Sequence, residues 1–260
     1  MAVAARPSAS IILVRDAPRG LETFMVRRHA RSPVAPSAYV FPGGTVRADD
    51  LDFTCADADA LAHRLLDRSD TPVEPHAATA YFACAVRELF EEAGVLLARS
   101  AHHTMLQVDE ANVALQEQLE ATRLALQSNQ LSLVDALRRF NLVAALDALV
   151  PFSHWVTPDV MASRFDARFF VAEMPDHQEA LHCTIETSEG VWLRPIDVLD
   201  SDYHVVYATA QHLRRLTPFS KAAELLQFAC QKTIRQVHPT VVEGSDGLSV
   251  HIPPDLVDAW

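Results

Sequence analysis

Apolar residues cluster in short runs at both ends of this chain and recur at helical spacing through its middle. Ser8–Val14 and Glu22–Arg28 are rich in Ile, Leu, Val, Phe and Met and read as strands, joined by the turn signals of Asp16-Ala17-Pro18-Arg19-Gly20. A loop with two prolines, Arg31–Ser37, leads to a short strand at Tyr39–Phe41. His76–Ala93 reads as a helix whose packed surface comes from Ala80, Ala83, Cys84, Val86, Leu89 and Phe90. Val108–Gln127 places Val113, Leu115, Leu119, Leu124 and Leu126 among charged and amide residues, the pattern of an amphipathic helix, and Leu133–Phe140 is a shorter one. Phe152–Thr157, Phe165–Ala172 and Gly190–Leu193 return to strand composition, and Asp197–Leu199 starts a new element. Tyr207–Leu216 and Lys221–Lys232 read as helices with Pro218 between them. With no internal repeat and no linker, residues 1–260 are expected to form a single α/β domain in which strands from both ends share one sheet.

The stretch richest in chemistry ends the His76–Ala93 helix. Glu88, Glu91 and Glu92 stand at i, i+3 and i+4, on one helical face. Three carboxylates so close repel one another unless something neutralises them, and a hard divalent cation liganded by oxygen does so. Arg87, four positions before Glu91, can hold one carboxylate in place, and Gly94 supplies a left-handed residue to stop the helix. The plainer alternative is an acidic, solvated helix face. Upstream, Phe41-Pro42-Gly43-Gly44 follows the apolar Tyr39-Val40 and lets backbone approach a ligand closely.

Together, Phe41–Gly44 and Arg87–Val95 resemble the two halves of the Nudix box, G-x5-E-x7-R-E-U-x-E-E-x-G-U, with Leu89 and Val95 as bulky aliphatic residues U. The first spacing is kept, with Asp50 where the family has Glu, but Arg87 lies 29 residues later than in an uninterrupted box. The insertion runs from about residue 51 to about residue 79 and is expected to form one helix across Asp57–Arg68; it reads as a lid, a decoration or a dimer contact. A split box of this kind resembles the Nudix branch containing the vertebrate peroxisomal coenzyme A diphosphatase, and the similarity continues through Arg164–Pro175 and Glu189–Leu199. The resemblance implies a Nudix-type α/β/α sandwich with a mixed β-sheet, elaborated by that insertion and by helices over about 108–140.

The resemblance also implies a metal-dependent hydrolase of a phosphoanhydride in a nucleoside diphosphate linked to another moiety. Coenzyme A or acyl-coenzyme A is the first expectation; NADH, ADP-ribose or another dinucleotide is the alternative, and a non-catalytic nucleotide sensor is the rival from another class. Glu88, Glu91, Glu92 and Arg87 would be catalytic, and Glu88, Glu91, Glu92 and the Gly44 carbonyl would ligate Mg2+ or Mn2+. Arg28, Arg31, Phe41, Gly43 and Gly44 are the expected substrate contacts; Arg27, Arg28 and Arg31 make a local cationic cluster that suits phosphates or a solvated strand end. Asp50 is shorter than the family's Glu, which puts its bracing role in doubt. A base could come from the box or from Glu173, Asp176, His177, Glu179 or Glu186, and Tyr39, Phe41 and Trp155 could stack on a nucleobase. The upstream fingerprint of another coenzyme A branch fails, because His29, Pro33 and Ser37 replace its arginines and glycine.

Composition limits the partners. The net charge of −12 argues against duplex nucleic acid but not against a phosphorylated small molecule drawn by local arginines and metal. Cys55, Cys84, Cys183 and Cys230 show no paired spacing and read as reduced thiols, and with no apolar span or signal-like segment a cytoplasmic protein is expected. The terminal Asp258-Ala259-Trp260 does not match an S-K-L address. A homodimer using the insertions is a further expectation.

Overall fold

In a computed structural model, which describes residues 3–55, 58–71, 73–109, 111–182, 187–244 and 247–260, the chain runs through strands and helices in this order. The first part holds β1 (Arg6–Ala17), β2 (Gly20–Arg28), β3 (Tyr39–Val40), β4 (Gly43–Thr45), α1 (Ala48–Leu51), α2 (Ala58–Leu66) and α3 (Pro75–Ala93). The middle holds β5 (Ala98–Ser100), α4 (Val113–Gln127), α5 (Leu133–Arg139), β6 (Leu142–Ala144), β7 (Val150–Val156), β8 (Phe165–Glu173) and β9 (Thr187–Leu193). Then come α6 (Pro195–Leu199), α7 (Tyr207–Leu216), α8 (Ala222–Gln231), β10 (Gln236–Val237), β11 (Thr240–Gly244) and β12 (Gly247–His251).

The apolar run Ala9–Val14 is buried on both sides because β1 is the central strand. Its side chains alternate: Ile11 and Leu13 face the core under α3, while Ile12 and Val14 face the core under α7 and α8. β1 pairs parallel with β8 and antiparallel with β2, and β7 pairs antiparallel with β8, so the sheet is mixed. Its order is β10-β7-β8-β1-β2-β3, with β4 also on β1 and β9 also on β2. Helices on both faces complete an α/β/α sandwich.

α3 is buried nearly all round, a property of helices enclosed by packed elements. Phe82 meets Phe170 of the sheet at 4.8 Å between ring centroids, and Leu61, Ala62 and Leu65 of α2 join the same core. Pro75 opens the helix, where its missing N–H costs nothing, and Gly94 closes it at φ 70°, its N–H donating to the Phe90 carbonyl. The helix therefore starts inside the segment assigned to the insertion.

The insertion docks away from the glycine loop. The Ile234 N–H donates to the Arg68 carbonyl and the Asp70 N–H to the Ile234 carbonyl, sewing its end to the segment before β10. No described residue of 51–79 lines the cavity described below. Among the described residues no helix is long and apolar enough to cross a membrane.

Candidate active site

β1 changes partners along one edge. Val14–Ala17 pair with β2, whereas Ser8–Ser10 pair with β4. β2, having left β1, pairs with β3 through Val26–Val40 and Arg27–Tyr39. Phe41-Pro42-Gly43-Gly44 therefore crosses the fork between two diverging strands, pinned where the Ile11 N–H donates to the Pro42 carbonyl at 2.8 Å. Neither glycine has a positive φ; both are required by close approach. A Cβ on Gly43 would lie 2.5 Å from the Ala9 carbonyl oxygen, and one on Gly44 would lie 2.3 Å from Oε1 of Glu88.

The box carboxylates lie under this fork, on α3. Arg87 is their hub: its side chain is fully buried and forks onto Asp50, with Nε to Oδ1 at 3.0 Å and Nη2 to Oδ2 at 2.8 Å. It also donates to Glu88 Oε1 at 2.6 Å, to Glu91 Oε1 at 3.3 Å and to the Thr45 carbonyl at 3.0 Å. The doubt over Asp50 is resolved by α1, whose first turn carries Asp50 inward, where Oδ2 also accepts the Arg47 N–H at 2.8 Å. The shorter acid keeps the brace because its helix brings it closer.

Arg47, a residue the sequence reading left without a role, forks onto Glu91 at 2.7 and 2.8 Å. Glu92 accepts the Gly43 N–H at 2.9 Å. Burial raises the carboxyl pKa of both Glu88 and Glu91, while Arg87 acts against the rise at each. Their mutual repulsion adds to the rise at Glu88. Four buried carboxylates here face the two guanidinium groups of Arg47 and Arg87, so acid outnumbers base. That donor set is all hard oxygen and fits Mg2+ or Mn2+.

Among the described residues no three acidic, His or Cys side chains already surround a common point. Glu91 is turned onto two guanidinium groups whose forks match a carboxylate, so Glu88, Glu91 and Glu92 are gathered but not convergent.

A cavity of about 720 Å3 opens above the fork. Gly43, Gly44, Thr45 and Glu88 line it, and Arg6, Arg28 and Arg47 add positive charge. Trp155, Met161, Phe165 and Phe169 add apolar wall, and the Arg6 guanidinium lies over the Phe165 ring, 4.9 Å from its centroid. Phe41 and Trp155, both proposed to stack, line the cavity; Tyr39 does not, its hydroxyl donating to Glu189 at 2.6 Å. Arg31 is exposed and outside the lining, and Arg27 lies near Glu189 at 4.0 Å. Among the downstream acids and histidine, Glu173, Asp176, His177 and Glu179 are exposed and off the cavity; Glu186 and Cys183 lie outside the described residues. Arg6 and Arg47 were missed because neither sits at a box position.

Similarity to known proteins agrees with this geometry. The chain is 24% identical over 272 residues to the acyl-coenzyme A diphosphatase NUDT19 of Xenopus laevis, covering 90% of this chain and 70% of that protein. The protein of the same name from Gallus gallus is 24% identical over 299 residues, with 96% and 79% covered. A solved Nudix hydrolase from Alicyclobacillus acidocaldarius superposes with a TM-score of 0.66 at 22% identity, covering 86% of this chain and 96% of that one, and so shares the fold. A family model described as the NUDT19 Nudix domain matches residues 66–207, more than half of the length, and the chain belongs to that family of Nudix pyrophosphohydrolases.

Proposed function

We propose that the chain hydrolyses the phosphoanhydride of a nucleoside diphosphate linked to a second moiety, with acyl-coenzyme A or coenzyme A as its substrate and Mg2+ or Mn2+ as its metal. The observation that carries this reading is the mixed lining of the cavity: acid, glycine backbone and arginines together with apolar and aromatic wall. An anhydride with two phosphates suits the glycine backbone and arginines, and a pantetheine arm with its acyl group suits the apolar lining. The names of the vertebrate relatives favour the same substrate class.

Glu88, Glu92 and the Gly44 carbonyl would hold the metal, and Glu91 would join them once released by Arg47. The metal would supply neutralisation of charge on the anhydride oxygens. Arg87 fixes Glu88 and Glu91 and does not touch substrate. Arg28 and Arg6 face the phosphates from the cavity walls, and the close packing at Gly43 and Gly44 lets backbone reach the reacting group. With Glu173, Asp176 and Glu179 off the cavity, a box glutamate is our choice to accept the proton of the attacking water.

The test is cleavage of coenzyme A, acyl-coenzyme A, NADH, ADP-ribose and diadenosine polyphosphates with Mg2+ and Mn2+, beside Glu92→Gln. Turnover of the acylated compound above the others, lost in the variant, supports the reading. Preference for NADH or ADP-ribose would overturn the substrate, and tight binding without turnover would make the chain a sensor.

A further inference from the structure

A second cavity, of about 550 Å3, lies between the C-terminal ends of α7 and α8 and the segment that ends at Trp260. Its walls carry Arg215, Lys232 and Arg235 beside the rings of Phe219, Phe228 and Trp260. It shares no lining residue with the catalytic cavity. We propose that it is an anion-binding site for a small phosphate ester bearing a planar ring.

The argument begins with charge. This chain has 34 acidic residues, yet three basic residues and a single acid, Asp258, line this cavity. Arg68 approaches from the insertion side, donating to the carbonyls of Ala229, Lys232 and Pro151. Lys232 Nζ donates to the Phe152 carbonyl at 2.8 Å and stands 5.5 Å from the Trp260 ring centroid. Arg215 donates to the carbonyls of Asp258 and Trp260 through one nitrogen, while its Nε is buried without a partner among the described residues. Asp258 offsets part of the charge on Arg215, while Lys232 is held by a neutral carbonyl and ring faces. Desolvation, together with repulsion from Arg215 and Arg68, brings the Lys232 ammonium down to about 7. A bound anion would relieve that repulsion, as a metal would relieve the opposite one at the box.

The rings narrow the ligand. Phe219, Phe228 and Trp260 offer flat apolar surface next to the cations, the pairing that holds a base beside its phosphate. Bare phosphate would leave that surface unused. Trp260 also meets Trp155, a wall of the catalytic cavity, edge-on at 4.9 Å, so the two cavities are joined by packed rings.

The sequence supplies a clean probe, because its only lysines are Lys221 and Lys232. With 13C at lysine Cε the protein gives two side-chain signals, and Lys221, beside Asp16 at 3.3 Å, serves as the reference. Adenosine 5′-monophosphate is added at constant ionic strength and pH, with pyrophosphate as the ring-free comparison. The expected result is a saturable shift of the Lys232 signal with Lys221 unmoved, and Arg235→Gln, a change at an exposed residue, weakens the apparent affinity about tenfold. Pyrophosphate saturates the same signal at higher concentration. A Lys232 signal that stays still, or drifts with Lys221 without saturating, overturns the site. An unchanged affinity in Arg235→Gln would trace the shift to the catalytic cavity and overturn it as well.

Discussion

Arg87 and Asp50 form a two-pronged ion pair in which both side chains are fully buried, although the insertion separates them in sequence. The pair closes the box across its own interruption, tying α1 to α3. Removing one member of a buried pair leaves the other charge without compensation, which costs about 3–5 kcal/mol. Asp50→Ala should lower the urea midpoint accordingly without changing its slope, and activity should fall because Arg87 loses its anchor. A midpoint within experimental error of the parent would show that Thr45, Glu88 and Glu91 hold Arg87 unaided.

The two glycines should separate stability from activity. A Cβ at Gly43 meets the backbone of Ala9 and Ser10, which cannot move without disturbing β1, so Gly43→Ala should cost about 1–3 kcal/mol. The three atoms nearest a Cβ at Gly44 all belong to the carboxylate of Glu88. Gly44→Ala should therefore leave the urea midpoint nearly unchanged while turnover drops about 100-fold through misplacement of Glu88. Equal loss of stability in both variants would contradict this division.

Much of this was legible in the chain. The continuous apolar run of β1 and the Gly94 stop of α3 are local signals, and the box residues are legible through their resemblance to the family motif. What escaped was short or distant. β3 and β4 have two and three residues, too few to show a period, so the fork had no signature. β11 and β12 pair only with each other, and most of the described β12 positions are exposed, which leaves no apolar face to read. The Arg47–Glu91 pair spans 44 positions, and the docking of Arg68 on the segment before β10 spans still more. Contacts of that range follow from the assembled sheet, not from any window of sequence.

On the proposed function, Arg47 would compete with the metal for Glu91. The fork at 2.7 and 2.8 Å occupies both carboxylate oxygens, and hydrogen bonds to a charged group are worth about 1.5–3 kcal/mol. Arg47→Gln should therefore bind Mn2+ about tenfold more tightly, read from the free-ion signal in electron paramagnetic resonance. In a Glu91→Gln background the same change should gain nothing, which a double-mutant cycle would show. Weaker binding in Arg47→Gln would mean instead that the fork orients Glu91 as a ligand.

Lys232 should leave a trace in the pH dependence of stability. Its ammonium ordinarily titrates near 10.5 and is brought to about 7 in the folded chain, first by desolvation and then by Arg215 and Arg68. Between those values the unfolded chain holds a proton that the folded chain has released, so the folded state gains as pH rises through this window. Below about 7 both states are protonated and the full cost of burying the charge is present. Lys232→Met has no such proton. The parent's stability relative to that variant should therefore increase from neutral pH towards about pH 10, measured as the difference in urea midpoints along the series. A flat difference would mean that the amine stays charged in the fold, with the nearby carbonyls and rings enough to solvate it.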